Sequence, residues 1–92
     1  MIEATGATAR ILVVEDDPDQ SEQMERTISD LGYDVVDRAR SGLSGVRAAR
    51  RHHPDLVLMD VRLPGAIDGV GAARAIWETD DIPMVFVTGA SG

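Results

Sequence analysis

Acidic side chains follow two of the strands that the sequence predicts, and a hydroxyl group follows another. Glu15 and Asp16 come directly after the first apolar run of the chain. Asp60 ends the third run, and Thr88 follows the fourth. These runs are short and show no alternation of polar and apolar residues, which is typical of strands buried on both faces of a parallel sheet. Ligands bind beyond the carboxyl ends of such strands, and if the first, third and fourth strands are neighbours, the four side chains lie close together there.

Carboxylates held this close to each other have a defined chemistry. A pair ~4 Å apart repels by about 4 kcal/mol at an effective dielectric constant of about 20. A hard divalent cation relieves that repulsion, and Mg2+ takes oxygen ligands while keeping waters and a phosphate oxygen in its shell. A carboxylate beside the ion can attack phosphorus and form an acyl phosphate, whose oxygens a hydroxyl and backbone amides would hold. Asp60 is the candidate nucleophile, because it ends a buried strand and has no evident capping role.

The composition excludes several other kinds of site. The chain has no cysteine, so disulfides, thiolate metal sites and cysteine nucleophiles are ruled out. Its net charge of -7 opposes direct binding to nucleic acid or to anionic membranes. No apolar stretch approaches the roughly 20 residues of a membrane helix, and no basic segment with an apolar run marks a signal peptide. We therefore expect a cytoplasmic protein without a membrane partner.

Strands and helices alternate along the predicted fold. The strands are expected at 10–14, 33–37, 56–60 and 84–87, and the helices at 18–31, at 41–51 and from 68 onward. Pro18 suits a first helical turn, Gly32 a helix end, and Ser41 and Asp68 the N-caps of the later helices. Pro54 ends the second helix. This order predicts an α/β fold with a parallel sheet and helices on both faces.

Helical spacing predicts which side chains of the later helices face the core. In the second helix these are Leu43 and Val46, and in the third they are Val70, Ala73 and either Ile76 or Trp77. The arginines of the second helix are interpreted as a solvated face in preference to a docking site.

Three segments resemble the receiver domains of two-component response regulators. They are residues 11–18, 54–65 and 82–89, and the resemblance extends from about Arg10 to Gly89. It implies a flavodoxin-like three-layer sandwich with strand order 2-1-3-4 in this chain. Family members continue with a fifth strand and two more helices, for which this sequence has no counterpart. We accordingly expect a flexible tail at 1–9 and an incomplete receiver domain at 10–92.

The resemblance also implies roles for the candidate residues around a metal ion. Asp60 matches the aspartate that accepts the phosphoryl group. Glu15 and Asp16 match the acidic pair that holds Mg2+ together with Asp60, and Asp16 is expected to be the more direct ligand. Arg62 matches the position whose backbone carbonyl completes the metal shell.

The phosphoryl group itself is expected to meet residues after the fourth strand. Thr88 matches the hydroxyl that contacts the phosphoryl group and acts as a switch, and Gly89 matches the neighbouring amide donor. The implied function is a phosphorylation-dependent signalling switch that receives phosphate from a histidine kinase or a phosphotransfer protein. Such a domain is not an enzyme beyond self-catalysed phosphorylation and dephosphorylation.

The sequence departs from the family at its carboxyl end. The family lysine on strand five has no counterpart, and the chain contains no lysine at all. An exposed apolar fourth strand invites self-association through its edge, and only the first helix would cover its face of the sheet. A receiver-like interaction module that is not phosphorylated therefore stays open as an alternative.

Two enzymes are weaker alternatives. A phosphohydrolase with an aspartate nucleophile would use the spacing of Asp17 and Asp19, although Pro18 between them starts a helix. A short-chain dehydrogenase would use the glycines of 87–92, although that glycine pattern is incomplete and no helix follows it to receive a pyrophosphate.

Overall fold

The computed structural model describes residues 8–88, in which four strands and three helices alternate. They are β1 (Arg10–Val14), α1 (Pro18–Asp30), β2 (Asp34–Ala39), α2 (Gly42–His52), β3 (Leu56–Asp60), α3 (Gly69–Trp77) and β4 (Met84–Val87). All paired strands run parallel, and their order is β2-β1-β3-β4. The predicted α/β class and strand order are confirmed. The predicted tail lies largely outside the described residues, as does Gly89.

The two central strands explain the unalternated apolar runs. Leu12, Val13 and Val14 of β1 have no exposed surface, and neither do Val57 and Met59 of β3. Successive side chains of a strand point to opposite faces, so a strand covered on both sides must be apolar at every position.

Local signals set the helix boundaries where the sequence predicts them. Asp17 caps α1, and its carboxylate accepts a hydrogen bond of 2.9 Å from the Asp19 N–H. Past the end of α1, Gly32 takes a φ of 96°, which glycine adopts without strain. Ser41 and Ser44 form a reciprocal capping box at the start of α2.

The boundary of β2 and one helix contact differ from the prediction. β2 begins one residue later than expected and continues to Ala39, because the strand stays paired with β1 up to Val14. Leu43 was expected in the core but is 52% exposed. The inward surface of α2 is instead built from small residues such as Gly45, where a Cβ atom would lie 3.0 Å from a Val14 methyl group. Leu43 instead shares the outward face of α2 with the exposed Arg47 and Arg50, which follow it by four and seven residues.

In α3 the prediction is right for some positions and wrong for others. Ala73 and Ile76 are fully buried, whereas Val70 is exposed. Trp77 is about half exposed, and its indole Nε1–H donates a hydrogen bond of 2.8 Å to the Ile82 carbonyl. Ile76 is thus the core residue of the pair, because Trp77 lies at the rim and contacts the loop before β4.

The helices cover the two faces of the sheet with different numbers of residues. α2 and α3 pack together on one face, which holds the larger buried cluster: Leu12, Val14, Ala39, Val46, Ala48, Ala49, Val57, Met59, Leu63, Ala72, Ile76 and Ile82. α1 covers the other face, whose buried cluster is Ile11, Val13 and Ile28. No helix among residues 8–88 has the length and apolar character needed to cross a membrane.

Candidate functional site

Two buried carboxylates lie at the carboxyl edge of the central strands. Asp60 is the last residue of β3, and Glu15 follows β1 directly. Because β1 and β3 are neighbours, the two side chains come from adjacent strand ends. Glu15 is only 5% exposed and Asp60 only 7%. Acidic residues are almost never buried to this degree unless they are paired, so this pair marks a specialised position.

Backbone N–H groups hold one oxygen of each carboxylate. The Arg62 N–H donates to Asp60 Oδ1 over 3.0 Å. The Asp17 N–H donates to Glu15 Oε2, also over 3.0 Å. The Glu15 N–H in turn donates to the Ala39 carbonyl at the end of β2, over 2.9 Å. Each carboxylate is therefore oriented by the loop that follows its own strand, and within residues 8–88 no backbone N–H donates to Asp60 Oδ2.

The two buried carboxylates, Glu15 and Asp60, disfavour each other's charged form. Burial is the largest cause that raises the pKa of Glu15 above its ordinary value. The nearby Asp60 carboxyl raises that pKa further, while the hydrogen bond from the Asp17 N–H partly offsets the rise. Two groups of like charge therefore share a poorly solvated position, which is the arrangement that a cation would relieve.

The first residue of α3, Gly69, packs against the backbone of Asp60. At Gly69 an added Cβ atom would collide with the backbone carbonyl of Asp60, so a side chain is excluded there. The Gly69 N–H donates to the Val61 carbonyl over 3.0 Å, and the Val61 N–H donates to the Val87 carbonyl of β4 over 3.1 Å. The sequence interpretation missed this role of Gly69. A glycine directly after the helix cap Asp68 was the available signal.

The remaining predicted residues lie around this pair in different settings. Asp16 is exposed, so burial singles out Glu15 from the acidic pair. Thr88 is exposed and directly follows β4. Arg62 provides the backbone N–H described above, which the sequence interpretation had not foreseen. The predicted amide donor, Gly89, lies outside the described residues.

The phosphohydrolase alternative would use Asp17, which has a structural role in this fold. Asp17 is the N-cap of α1 and accepts hydrogen bonds from the backbone of the first turn. Its carboxylate is thereby engaged in helix capping, which disfavours the phosphohydrolase alternative. For the dehydrogenase alternative, residues 89–92 lie outside the described part of the chain, and acidic residues follow β1.

A magnesium ion fits the chemistry of the donors. Within residues 8–88, no group of three acidic, histidine or cysteine side chains is placed to hold a metal ion. Mg2+ does not need such a group, because it is commonly held by one or two carboxylates while waters and phosphate oxygens fill the rest of its shell. The buried pair, Glu15 and Asp60, supplies that number of carboxylates.

Comparison with known proteins agrees with this geometry. The sequence profile of the response regulator receiver domain matches residues 11–92. Protein PilH of Pseudomonas aeruginosa is 39% identical over 83 residues, which are 87% of this chain and 67% of PilH. The polar-differentiation response regulator DivK of Brucella ovis is 37% identical over 86 residues, which are 88% of this chain and 67% of DivK. The chain thus spans about two thirds of the length of these relatives.

Solved structures give the same result. The signal receiver domain of a modulated diguanylate cyclase from Desulfovibrio desulfuricans superposes with a TM-score of 0.84 at 32% identity, covering 91% of this chain and 67% of that one. A LuxR-family two-component response regulator from Aurantimonas superposes with a TM-score of 0.84 at 37% identity, covering 89% of this chain and 59% of that one. Together with the parallel sheet and the buried acidic pair at its edge, these similarities establish that the chain belongs to the response regulator receiver domain family of two-component signalling proteins.

Proposed function

We propose that this domain is a phosphorylation-dependent switch in which Asp60 accepts a phosphoryl group from a histidine kinase or a phosphotransfer protein. The observation that carries the proposal is the buried Asp60 at the end of β3, beside the buried Glu15. Structural carboxylates are normally solvated or paired with a cationic side chain. Here the Asp60 carboxyl instead raises the pKa of a second buried carboxyl, that of Glu15, and this repulsion supports a functional role.

The geometry favours attack by one particular oxygen. Asp60 Oδ1 is held by the Arg62 N–H, which leaves Oδ2 for the incoming phosphorus. In the transfer, an oxygen–phosphorus bond forms at Asp60 as the nitrogen–phosphorus bond of a donor phosphohistidine breaks. The bonding electron pair stays on the donor imidazole. The short aspartate side chain at the end of a rigid strand limits the positions that the nucleophile can take, which favours the reaction by positioning.

We assign the metal ligands to Glu15, Asp16, Asp60 and the backbone carbonyl of Arg62. When bound, Mg2+ would neutralise charge on the carboxylates and on the phosphoryl oxygens. Glu15 is already buried beside Asp60, whereas Asp16 would have to turn from solvent toward the pair. The raised pKa of Glu15 supports a site whose charge is balanced only with a cation in place.

The phosphoryl oxygens would be held from the side of β4. Thr88 follows that strand and would donate its hydroxyl hydrogen, and the Gly89 amide would donate beside it. A phosphoryl group adds a charge of about -1.5 to -2 at neutral pH. We propose that this charge draws Thr88 toward Asp60 and thereby changes the segment after β4.

The test is a phosphorylation assay on the intact protein. The protein is incubated with a small-molecule phosphodonor and Mg2+, and its intact mass is measured. A phosphate-sized gain is expected for the unchanged chain and for Asp81→Asn, an exposed aspartate before the start of β4, at the opposite end of that strand from Thr88. Asp60→Asn, which makes the same chemical change at the nucleophile, is expected to show no gain, and neither is the unchanged chain in the presence of a chelator.

The result also decides the main alternative. That alternative is a receiver-like interaction module that is not phosphorylated. No mass gain in a sample with a folded circular dichroism spectrum would support that module. An equal gain in Asp60→Asn would place the phosphoryl group elsewhere and overturn the assignment.

Three further predictions accompany this proposal. We propose that residues 10–92 act as one receiver unit and that the exposed edge of β4 mediates self-association. The cytoplasmic location stays a prediction.

A further inference from the structure

A second charged surface lies away from the carboxylate pair. From Arg38 to Pro54 the chain has five arginines and no acidic residue, whereas the whole chain carries a net charge of -7. Four of these arginines, Arg38, Arg40, Arg47 and Arg51, line a groove of about 420 Å³ between the end of β2 and α2. We call this the arginine groove. Its lining also includes the apolar residues Ala39 and Ala48.

Pairing with carboxylates of the same chain does not account for these arginines. Among residues 8–88, ion pairs within 4.0 Å include Arg38 with Glu25, at 3.4 Å, but none that involves Arg40, Arg47 or Arg51. The groove contains one carboxylate, that of Asp37. Its Oδ2 lies 3.2 Å from His52 Nε2, and its Oδ1 accepts a hydrogen bond of 2.8 Å from the Arg38 backbone N–H.

Favourable interaction with the helix dipole explains only part of the pattern. Arg51 lies in the last turn of α2, where a positive charge is stabilising. Arg40 instead precedes the N-cap Ser41, at the end where the dipole opposes a positive charge. Arg47 and Arg51 are four residues apart on one face of the helix, so their charges repel each other. These arginine positions destabilise the isolated domain, and an anion bound in the groove would make them stabilising.

The scaffold beneath the groove is firmly placed. The Ser41–Ser44 capping box fixes the start of α2, and Gly45 lets the helix approach Val14 of β1 closely. The bases of Arg47 and Arg51 are therefore held in a set relation to β2. Within the described residues β2 pairs only with β1, so its outer edge borders the groove and is open to an extended chain.

We propose that the arginine groove binds an acidic segment of a partner protein in an extended conformation. Guanidinium groups hold carboxylates through paired, charge-assisted hydrogen bonds, and the alanines leave room for the backbone of the segment. Nucleic acid is the poorer occupant, because the charge of the rest of the chain repels a phosphate backbone that extends beyond the groove. The groove is separate from the phosphoacceptor residues, so the proposal stands without Asp60 chemistry.

The experiment measures binding of a fluorescent oligoglutamate peptide by anisotropy at low ionic strength. Arg47→Gln/Arg51→Gln is expected to weaken binding by about tenfold or more, since it removes two charge-assisted contacts. The control Arg26→Gln/Arg74→Gln changes the net charge equally on exposed positions of α1 and α3, and is expected to bind within about twofold of the unchanged protein. Glutamine retains good helix propensity, and circular dichroism checks the fold.

Three outcomes would overturn the proposal: no binding of the oligoglutamate peptide to the folded protein, equal weakening in both double variants, or tighter binding of a single-stranded oligodeoxynucleotide than of the peptide. If the groove variant does not fold, the single changes Arg47→Gln and Arg74→Gln provide the same comparison.

Discussion

The two faces of the sheet are covered to different extents. On one face α2 and α3 bury twelve residues of β1, β2, β3, the helices and the loops in a single cluster. On the other face α1 buries a cluster of three, and residues such as Met24 and Leu58 are only partly covered. A groove of about 540 Å³ runs between α1 and the ends of β3 and β4, with Val87 and Thr88 among its lining residues.

The proposed site belongs to the less covered face. Along β3, Asp60 continues the alternation of Leu56 and Leu58, which pack on the α1 side. Glu15 continues in the same way from Ile11 and Val13 of β1. The densely packed face therefore supports the sheet, while the other face carries the residues proposed to change charge. Among the described residues the α1 side has fewer buried contacts, and regions of this kind open at lower free energy.

The largest expected effect comes from truncating neighbouring residues of β3 on opposite faces. Met59 is fully buried under α2 and α3, and Met59→Ala is expected to lower the free energy of unfolding by about 2–5 kcal/mol. Leu58 is partly exposed on the α1 side, and Leu58→Ala is expected to lower it by less than half of that amount. Urea unfolding with linear extrapolation measures both. An equal or greater loss for Leu58→Ala would show that the faces do not differ in this way.

An intermediate effect is expected from Glu15→Gln in metal-free buffer. Burial and the Asp60 carboxyl raise the pKa of Glu15, so the folded protein holds this proton to a higher pH than the unfolded chain does. The Glu15 contribution therefore lowers stability as pH rises through that interval. At neutral pH the substitution is expected to increase the free energy of unfolding by no more than about 1 kcal/mol, because the neutral amide also weakens the hydrogen bond from Asp17.

Thermal or urea unfolding of both proteins across a pH series tests the sign. The difference should vanish below about pH 4, where the carboxyl group is protonated in both states. Added Mg2+ should then stabilise the unchanged protein more than the variant, since binding to the folded state adds to stability. If the variant is less stable than the unchanged protein at neutral pH without metal, the charged Glu15 carboxylate is not destabilised by its burial beside Asp60, and the prediction is wrong.

The smallest effect on stability is expected from Val85→Lys. Val85 is 46% exposed on β4, which pairs only with β3 in the described residues, and a lysine on an edge strand opposes pairing with another chain. The free energy of unfolding should change by no more than about 0.5 kcal/mol. Sedimentation velocity should show association of the unchanged protein with rising concentration, and a monomer for this variant.

The matched control places the same lysine on a helix. Leu43 has similar exposure on α2, and Leu43→Lys changes the charge equally without touching the edge strand. This variant should associate like the unchanged protein. Monomeric behaviour of the unchanged protein, or loss of association in both variants, would remove the β4 edge as the interface.

Much of the fold was predictable from local signals. Strand runs, helix caps and the ends at Gly32 and Pro54 depend on nearby residues, and they placed the boundaries of the described elements within about two residues, apart from the end of α3, which was not predicted. The strand order came from the resemblance to the family. Leu43 was misplaced because helical spacing allowed it to face inward, whereas the closeness of α2 to β1 depends on the tertiary contact at Gly45.

The candidate site was predictable only in outline. The parallel sheet brings the ends of β1 and β3 together, so Glu15 and Asp60 were expected to be near each other. Which of Glu15 and Asp16 is buried depends on the register of the strand against the helices, and the two adjacent acids gave no sign of it. The contact between Gly69 and Asp60 joins two elements across a loop, so the glycine after the helix cap marked an unusual position but did not indicate its partner.

That contact has a mechanical consequence. Gly69 packs directly against the Asp60 carbonyl, and its N–H donates to the Val61 carbonyl, so we expect the end of β3 and the first turn of α3 to move together. We therefore expect a charge added at Asp60 to cause little movement on the α3 side. On the other side the Val61 N–H reaches the Val87 carbonyl of the lightly covered β4. We therefore expect movement caused by a charge at Asp60 to pass mainly to β4 and Thr88.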